Sequence, residues 1–587
     1  MDKNHRYQDD RWIFGAIFLA ALGLRLVLLD RFPLREYESR HAYQAWELWK
    51  GLPASAGSRT LYLAATEFFF SLFGSSEFTA RLWPVLGGAL LIWVPYGFRR
   101  ELGKGPALIW AAGLTLDPGL LTGSRFAASP LPAVTWILGG LLLLRAGNLG
   151  WGLFTLGLAV LSGPPVWLGL LVLWVGLAFS HWFGPGDFLE DLRRELRDLR
   201  EGFLAREDRF LLLGLPLLGL LLVSSFGVRN LGGVTAWFSG LADFLGSLRS
   251  GSSVPVGRML FALAAYQPLA LLLGGAEIIR AWVKRDQRGQ LLSLWCAAAL
   301  LVVVIKPGRQ VVDLAWVLVP LYGLVGLLLY RSFRTPGKQP VVSYLLGFFS
   351  LVMLSLSWLS FTGMIAQAAN TRAVLLQAVI IAAALLMIGI VVFIAAAEWD
   401  WSTARNGLLL GIGGGLLLYT LAAGAGSAYL RMNDPREFWV PGPGTEDLAL
   451  LEKTLQEVSL SVTGRRKSIE GTVYTEGDLL QWHFRDYPEL SFFREYREDL
   501  RPQVFMIDQR RVKQITTQAY LGQDFLVSTS PGWVGALPSP WRHWLAFREG
   551  LLEEHRVVLW VRRDVLPGGD LLFSPDAGSG DSAEELP

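Results

Sequence analysis

Cysteine and charge are both scarce in this sequence. Cys296 is the only cysteine, which excludes a disulfide framework, a thiolate metal site and an iron–sulfur cluster within one chain. Charged residues make up 18% of the 587 residues, against about 25% in soluble domains, and the mean hydropathy is +0.38. The formal net charge of +3 is small, so no nucleic-acid partner is expected. This composition predicts an integral membrane protein.

The familiar motifs of soluble enzymes are absent as well. The chain has no phosphate-binding P-loop, no GxSxG nucleophile elbow, no HExxH zinc motif and no CxxC pair. Glycine-rich runs such as Gly411–Gly415 lie inside apolar segments, where they favour close helix packing over phosphate binding. The sequence assigns no cofactor, and a divalent cation held by carboxylates of an external loop is the candidate that stays open.

Long apolar runs dominate the chain. A transmembrane helix needs roughly 20 apolar residues, and about thirteen runs approach that length, give or take one or two where a Gly/Pro turn at residues 162–165 interrupts a pair. The runs are Trp12–Leu29, Phe78–Phe98, Pro106–Leu121, Pro130–Leu144, Trp151–Leu161, Pro165–Trp182, Phe210–Phe226, Met259–Leu273, Leu291–Ile305, Val312–Tyr330, Val342–Phe361, Ala373–Ala396 and Gly407–Leu421. Lysine and arginine collect in alternate loops, which predicts a multi-pass protein of the cell membrane with a cytoplasmic amino terminus and an external loop at residues 31–77.

The composition changes after Leu430. Residues 431–567 are charged and mixed, with strand-like runs at Pro502–Asp508 and His555–Val561 separated by helical stretches. We expect a transmembrane domain at residues 1–430, an extracytoplasmic α/β domain at residues 431–567 and a disordered tail at residues 568–587. The predicted fold class is mainly α, a polytopic membrane protein of about 13 transmembrane helices with a small C-terminal α/β domain.

The external loop concentrates charge at the membrane boundary. Its stretch FPLREYESRHAYQAW, residues 32–46, contains Glu36, Glu38, Arg40 and His41. Carboxylates beside a hydrocarbon boundary are costly unless they are paired or functional. In a helix Glu36 and Arg40 are four residues apart and can pair, whereas Glu38 and His41 lie three apart on a neighbouring face. The alternative is a solvated loop with ordinary surface charges.

Two chemistries suit these carboxylates. Glu36 or Glu38 can act as a general base toward an acceptor hydroxyl, or hold a divalent cation against a lipid-linked phosphate. Arg125, in the turn TGSRFAASP, is a candidate phosphate partner because its guanidinium matches phosphate geometry. Lys306 and Arg309, in IKPGRQ, also fall outside, where the alternative for each is snorkelling at the interface.

The order of these segments resembles a known class of membrane enzymes. A first span, the loop PLREYESRHAY, the run FTARLWPVLGGALLIWVPYGFRRELG at residues 78–103 and SRF at residues 124–126 are similar to glycosyltransferases of the GT-C class. That class includes the protein O-mannosyltransferases and the lipid A aminoarabinose transferases. The likeness is strongest over residues 12–144, and within the class it points to a prokaryotic flippase-associated, mannosyltransferase-like branch.

The resemblance implies a cavity under the external loop. It implies transfer of a sugar from a polyprenyl-phosphate donor in the membrane to a glycan, lipid or protein acceptor, with an acidic loop residue central to catalysis. The Asp-Glu pair of the class reads Tyr37-Glu38 here, so Glu38 is the matched acid and Glu36 is the candidate substitute for the aspartate. The candidate substrate-binding residues are Arg40, His41, Arg125, Lys306 and Arg309.

Three functions stay open at this point. The first is an active glycosyltransferase. The second is a non-catalytic relative that binds lipid-linked glycan or partner proteins, which Tyr37 in place of an aspartate favours. The third, a transporter or lipid flippase, is disfavoured because few charges lie at the centres of spans and no matching pair of broken helices stands out.

Overall fold

Helices account for most of the structure. The computed structural model describes residues 10–53, 57–186, 188–204, 207, 209–249, 251, 254–334, 338–497, 499–514 and 519–565, and the predicted disordered tail at residues 568–587 lies outside them. The described α-helices are α1 Asp10–Leu26, α2 Glu36–Lys50, α3 Thr60–Phe73, α4 Glu77–Leu90, α5 Trp93–Gly97, α6 Arg99–Leu102, α7 Lys104–Leu116, α8 Pro118–Gly123, α9 Leu131–Arg145, α10 Leu149–Leu161, α11 Pro164–Phe183, α12 Phe188–Leu204, α13 Arg209–Ser224, α14 Ala236–Ser247, α15 Val256–Tyr266, α16 Pro268–Val283, α17 Gln287–Ile305, α18 Ala315–Arg334, α19 Pro340–Ala366, α20 Thr371–Glu398, α21 Trp401–Ala425, α22 Leu448–Thr463, α23 Leu479–His483 and α24 Trp541–Phe547.

Seven helical segments of the described chain are long and apolar enough to cross a membrane. They are Glu77–Gly97, Pro164–Phe183, Gln287–Ile305, Val311–Arg334, Pro340–Ala366, Thr371–Glu398 and Trp401–Leu430. The pair α15 and α16, bent by 95° at Gln267, would add an eighth. The protein is thus a helical multi-pass membrane protein, but the predicted count of about thirteen spans is not confirmed.

The difference arises because several predicted runs form short helices. Leu131–Arg145, Leu149–Leu161 and Phe210–Ser224, which correspond to predicted runs, are apolar helices of 10–17 residues. At 1.5 Å per residue, a helix of about 15 residues covers roughly 22 Å of a hydrocarbon core that is about 30 Å thick. The run at residues 106–121 breaks at Asp117, whose carboxylate accepts a 2.8 Å hydrogen bond from the Leu120 N–H and so begins α8.

A six-stranded sheet follows the last long helix. The strands β1 Gly444–Thr445, β2 Gly471–Tyr474, β3 Leu490–Phe493, β4 Val504–Asp508, β5 Tyr520–Pro531 and β6 Leu552–Arg562 lie in the order β1-β5-β6-β4-β2-β3. The strand β2 pairs in parallel with β3 and β4, and the other neighbours are antiparallel. The helices α22 and α23 pack on this sheet. The shared core contains Leu451 and Leu455 of α22 together with Val473 and Met506 of the strands. The strands predicted at residues 502–508 and 555–561 are confirmed.

The sheet domain contacts the membrane helices at two places. Near α2, the Trp482 ring of α23 stacks on Phe70 and its Nε1 donates to a Glu77 oxygen at 3.1 Å. The second contact is made by the long connection between β5 and β6, which contains α24 and packs against α19. Both contacts position polar groups of the sheet domain next to the candidate site or to the candidate spans.

Candidate functional site

The central stretch of the predicted external loop is the helix α2. It begins at Glu36, where Glu36 and Glu38 stand in the first turn and favour the positive end of the helix dipole. The Glu38 carboxylate also reaches back to accept a 3.1 Å hydrogen bond from the Arg35 N–H. The helix ends at Gly51, which takes the left-handed conformation with φ of 70°. These local signals turn a charged loop into a rigid element with three distinct faces.

The first face, which we call the inner face, contains Glu38 and packs on the membrane helices. Glu38 is buried, and Arg81 of α4 donates to both of its oxygens from Nε at 2.7 Å and from Nη2 at 2.9 Å. The Ala127 N–H donates at 2.9 Å, and with the Arg35 N–H the carboxylate accepts four hydrogen bonds. Burial alone would raise the pKa of Glu38, but Arg81 and the two N–H donors outweigh it and hold the pKa below its usual value.

Arg81 explains why this pairing fixes the loop. Its Nη1 donates to the carbonyls of Leu29 at 2.9 Å and Phe32 at 2.8 Å, and its Nη2 donates to Pro33 at 3.1 Å. The guanidinium therefore donates to one carboxylate and to three carbonyls of the segment that joins α1 to α2. This arrangement suits Glu38 to hold the loop in place, because both charges are buried and all four acceptor positions of the carboxylate are used.

The second face, the outer face, contains Glu36 and meets the sheet domain. The Glu36 carboxylate accepts hydrogen bonds from the N–H groups of Asp478 at 2.7 Å and Leu479 at 3.2 Å, at the start of α23. A Cβ on Gly477 would lie 2.3 Å from a Glu36 oxygen, so only glycine permits this approach. Burial raises the pKa of Glu36, the two backbone N–H bonds and Arg40 oppose the shift, and the Asp478 charge adds to it.

Arg40 does not pair with Glu36 in the way that their spacing suggested. Its Nε lies 3.4 Å from an Asp478 oxygen, and the side chain is largely exposed. The reason is tertiary, since the sheet domain brings a carboxylate to the outer face that no local pattern reveals. Arg40 and Glu36 thus both bind the same turn of the sheet domain.

The third face, the aromatic face, contains Tyr37 and His41. Their rings lie 5.4 Å apart, and the Tyr37 hydroxyl lies 3.4 Å from the Ala128 carbonyl. The Arg59 guanidinium lies 5.3 Å from the Tyr37 ring and also donates to the Ala128 carbonyl. Burial and the Arg59 charge lower the pKa of His41 to about 3, so its imidazole is neutral at physiological pH. Tyr37, at the position where the resemblance implies an aspartate, stands beside this cation.

Lys306 is paired with an acid whose charge reaches the aromatic face. Its Nζ lies 3.3 Å from an Asp313 oxygen, and both side chains are largely buried. The Asp313 charge acts on the Tyr37 hydroxyl, and the neighbouring Val312 packs in one cluster with Tyr37. Arg59 and the segment that holds Val312 and Asp313 therefore both approach Tyr37.

The other two candidate cations bind backbone. Arg125 is buried, and its Nη1 donates to the Arg25 carbonyl at 2.7 Å while its Nη2 donates to the Leu28 carbonyl at 3.1 Å. Arg309 donates to the carbonyls of Val254, Val304 and Lys306 at 2.9–3.0 Å. Both arginines hold loops together, and the structure does not bring Arg125 onto the aromatic face.

A divalent cation does not fit the predicted pair of carboxylates. The oxygens of Glu38 are occupied by a guanidinium and two N–H donors, and those of Glu36 point at N–H groups of another domain. Within the described part of the chain no group of three or more His, Cys, Asp or Glu side chains has a metal-binding arrangement.

Sequence reasoning did not assign Arg81, Arg59, Asp313 or Asp478 to the site. Two of them carried a readable signal. Asp313 is the only acidic residue between Asp286 and Glu398, a stretch that is otherwise apolar or basic, and such isolated acids are functional candidates. Arg81 is a lone cation at the start of an apolar run, which calls for a buried partner. Asp478 is distant in sequence and no local pattern marks it.

Comparison with known proteins identifies the fold. No protein-family model matches the chain, and no curated protein sequence matches it. The structure matches ArnT from Cupriavidus metallidurans bound to undecaprenyl phosphate, with a TM-score of 0.52 and 15% identity over 93% of this chain and 97% of that one. Apo ArnT gives a TM-score of 0.50 over the same shares. The Archaeoglobus fulgidus oligosaccharyltransferase gives 0.40 over 82% of this chain.

The chain therefore has a GT-C fold. The match spans the helical domain and the sheet domain together, since it covers nearly all of both chains. The resemblance inferred from the loop, from FTARLWP and from SRF is confirmed at the level of the fold.

Proposed function

We propose that this protein is a membrane glycosyltransferase that takes a sugar from a polyprenyl-phosphate donor at the aromatic face of α2. The observation that carries the proposal is the fold, which is shared over nearly the whole chain with an ArnT structure that contains undecaprenyl phosphate. The acceptor is a glycan, lipid or protein at the outer surface of the membrane.

The cations of the aromatic face support a phosphate site. Arg59 lies 5.3 Å from the Tyr37 ring, and Lys306 pairs at 3.3 Å with Asp313, whose charge acts on the Tyr37 hydroxyl. The Arg59 guanidinium acts on a neutral His41 imidazole and gives this face positive charge, which suits a phosphate better than a cation. Arg40 extends this positive charge on the outer face, and Arg125 and Arg309 keep the surrounding loops in place.

The loop acids differ in what they can contribute. Glu38 has no free acceptor position, so we assign it to positioning. Glu36 accepts two hydrogen bonds from the described residues and keeps lone pairs for a third partner. Its raised pKa also makes it a stronger base than an ordinary carboxylate. We therefore assign the general-base role to Glu36.

The reaction that follows is a single displacement. The acceptor oxygen forms a bond to the anomeric carbon while the bond from that carbon to the phosphate oxygen breaks. Glu36 takes the proton of the acceptor hydroxyl, and polyprenyl phosphate leaves as an anion that Arg59 and Lys306 stabilise. No covalent intermediate with the protein is required.

Binding of the donor lipid can be tested with undecaprenyl phosphate itself. In nanodiscs, Arg59→Met and Lys306→Gln should each weaken binding of this lipid by about tenfold, because each removes one charge-assisted contact worth roughly 1.4 kcal/mol. Lys453→Met, which removes an exposed cation from α22, should leave binding unchanged. Equal affinity of all four proteins, measured by native mass spectrometry, would reject the phosphate site.

Transfer itself can be tested with labelled undecaprenyl-phosphate hexose and pentose and a membrane extract as acceptor. Glu36→Gln should lower the rate by about 10²–10⁴, as expected for loss of a general base, while binding of undecaprenyl phosphate persists. An unchanged transfer rate would remove Glu36 from the catalytic role.

A second candidate function is binding of lipid-linked glycan without transfer. Three features favour it. Tyr37 stands in place of an aspartate, Glu38 has no free acceptor position, and Glu36 contacts the sheet domain. Under this alternative, undecaprenyl phosphate binds and depends on Arg59, but no labelled sugar is released or transferred by the wild-type protein.

A further inference from the structure

The connection between β5 and β6 has an unusual composition for a loop of a water-exposed domain. We call residues 532–551 the hairpin tip, and α24 forms its centre. Val534 is 89% exposed and Leu551 is 61% exposed. Three more large apolar side chains of the tip are over one third exposed: Leu537, Trp541 and Phe547. Such a concentration of exposed apolar side chains in one loop marks an interaction surface.

The buried side of the hairpin tip is joined to the membrane helices. The Trp544 ring stacks on Phe438 with centroids 4.7 Å apart and contacts Phe261 of α15 at 5.4 Å. Arg548 donates to the Tyr419 hydroxyl at 3.1 Å, and Tyr419 lies within the candidate span Trp401–Leu430. The hairpin tip is therefore in direct contact with a candidate membrane span.

The backbone of the tip is also satisfied by the membrane domain. Arg258, in the first turn of α15, donates from Nη2 to the carbonyls of Trp533, Val534 and Gly535 at 2.7–3.4 Å. Backbone groups near hydrocarbon must have protein partners, because lipid tails offer none. This contact allows the exposed face of the tip to be apolar while its carbonyls stay paired.

The exposed side of the tip continues the apolar surface of the neighbouring helices. The helix α24 packs against α19, one of the candidate spans, whose side chains Trp358 and Leu359 are exposed. Leu260 of α15 is exposed as well. Trp541 carries Arg542 at 5.5 Å from its ring, a combination common where apolar and aqueous layers meet.

From this continuity we propose that the hairpin tip inserts into the lipid leaflet on the side of the sheet domain. Val534, Leu537, Trp541, Phe547 and Leu551 contact acyl chains, and Arg542 contacts lipid phosphates. The sheet domain is then held to the membrane by the tip as well as by its contact with α2. This inference does not depend on the proposed transferase function.

The single cysteine makes a direct test possible. In a Cys296→Ala background, Val534→Cys and Leu551→Cys each place an environment-sensitive fluorophore on the tip. The matched control is Leu521→Cys, an exposed leucine on β5 of the same hairpin. It lies ten residues before Pro531, or about 33 Å along the strand. The proteins are placed in nanodiscs of phosphatidylcholine and phosphatidylglycerol and compared at equal monodispersity.

The two outcomes are distinct. If the tip is inserted, nitroxides on the acyl chains should quench the Val534 and Leu551 fluorophores at least about twofold more than the Leu521 fluorophore, and iodide should quench them less. If both tip fluorophores are quenched by iodide as strongly as the Leu521 fluorophore and not by the lipid nitroxides, the tip faces water and the proposal is wrong. Two tip positions guard against one label disturbing its own site.

Discussion

The inner and outer faces of α2 hold two glutamates, two residues apart, in opposite physical situations. Glu38 on the inner face is paired with a buried arginine and accepts four hydrogen bonds. Glu36 on the outer face accepts two backbone N–H bonds from the sheet domain. The surroundings move the two pKa values in opposite directions, downward for Glu38 and upward for Glu36.

The two carboxylates differ in whether they can accept a proton from a substrate. A carboxylate whose lone pairs are all used cannot accept a proton from a substrate without losing a partner. A carboxylate with a raised pKa and free lone pairs can accept that proton and keep its existing hydrogen bonds. Two glutamates of the same short motif can therefore have different roles. The role of each depends on which part of the protein its helix face contacts.

The largest expected effect comes from breaking the inner face. Glu38→Gln leaves the Arg81 charge buried without its counter-ion, which should cost about 3–5 kcal/mol of stability. Thermal unfolding in detergent should show a large fall in the apparent Tm, against a small one for Glu36→Gln. If Glu38→Gln and Arg81→Met are combined, the double variant should lose less than the sum of the single losses. A Glu38→Gln protein as stable as wild type would contradict the structural role.

A smaller and more local effect is expected on the outer face. Glu36→Gln removes the negative charge that accepts two hydrogen bonds at the start of α23. We expect α23 to lose about 1.5–3 kcal/mol of local stability. Amide exchange of residues 478–483 should accelerate by roughly 10- to 100-fold, with little change in α4. The matched control is Glu47→Gln, a half-buried glutamate on the same helix. Unchanged exchange at α23 in Glu36→Gln would show that the contact carries no free energy.

The two faces should also respond to pH with opposite signs. Because the folded pKa of Glu38 is lowered, its contribution is present above the usual carboxyl pKa and is lost as pH falls through the lowered value. Because the folded pKa of Glu36 is raised, the folded state is favoured at low pH, and this contribution is lost as pH rises from the usual value through the raised one. The Tm difference between wild type and each Gln variant, followed from pH 4 to pH 8, measures both. Parallel curves for the two variants would contradict the comparison.

The smallest effect is expected from Arg40. Its Nε lies 3.4 Å from an Asp478 oxygen and the Arg40 side chain is largely exposed, so Arg40→Ala should cost about 0.2–1 kcal/mol, and less in high salt. Exchange at α23 and the apparent Tm should both stay near wild type. A large loss of stability in Arg40→Ala would mean that the outer face is less solvated than the structure has it.

The sequence predicted the helix that contains the site residues, but not the partners of their side chains. The acidic first turn, with Glu36 and Glu38, is typical of a helix start, and α2 begins there. The spacing of Glu36 and Arg40 suggested a pair, but both bind the turn at Asp478, which lies over 400 residues later. Arg125 is a candidate for phosphate from its sequence context, and the structure shows its guanidinium donating to carbonyls at the end of α1.

The sequence by itself determined the class of protein and its local elements. Scarce charge and long apolar runs require a membrane protein, because such helices are stable only where their side chains meet lipid or each other. Turn and strand patterns located the sheet, and the loop motif pointed to the GT-C fold. Only the tertiary structure decided which glutamate is paired with Arg81, which glutamate faces the sheet domain, and that Arg59 lies beside Tyr37. Those assignments depend on contacts between distant segments, whose desolvation and pairing set the chemistry of each charge.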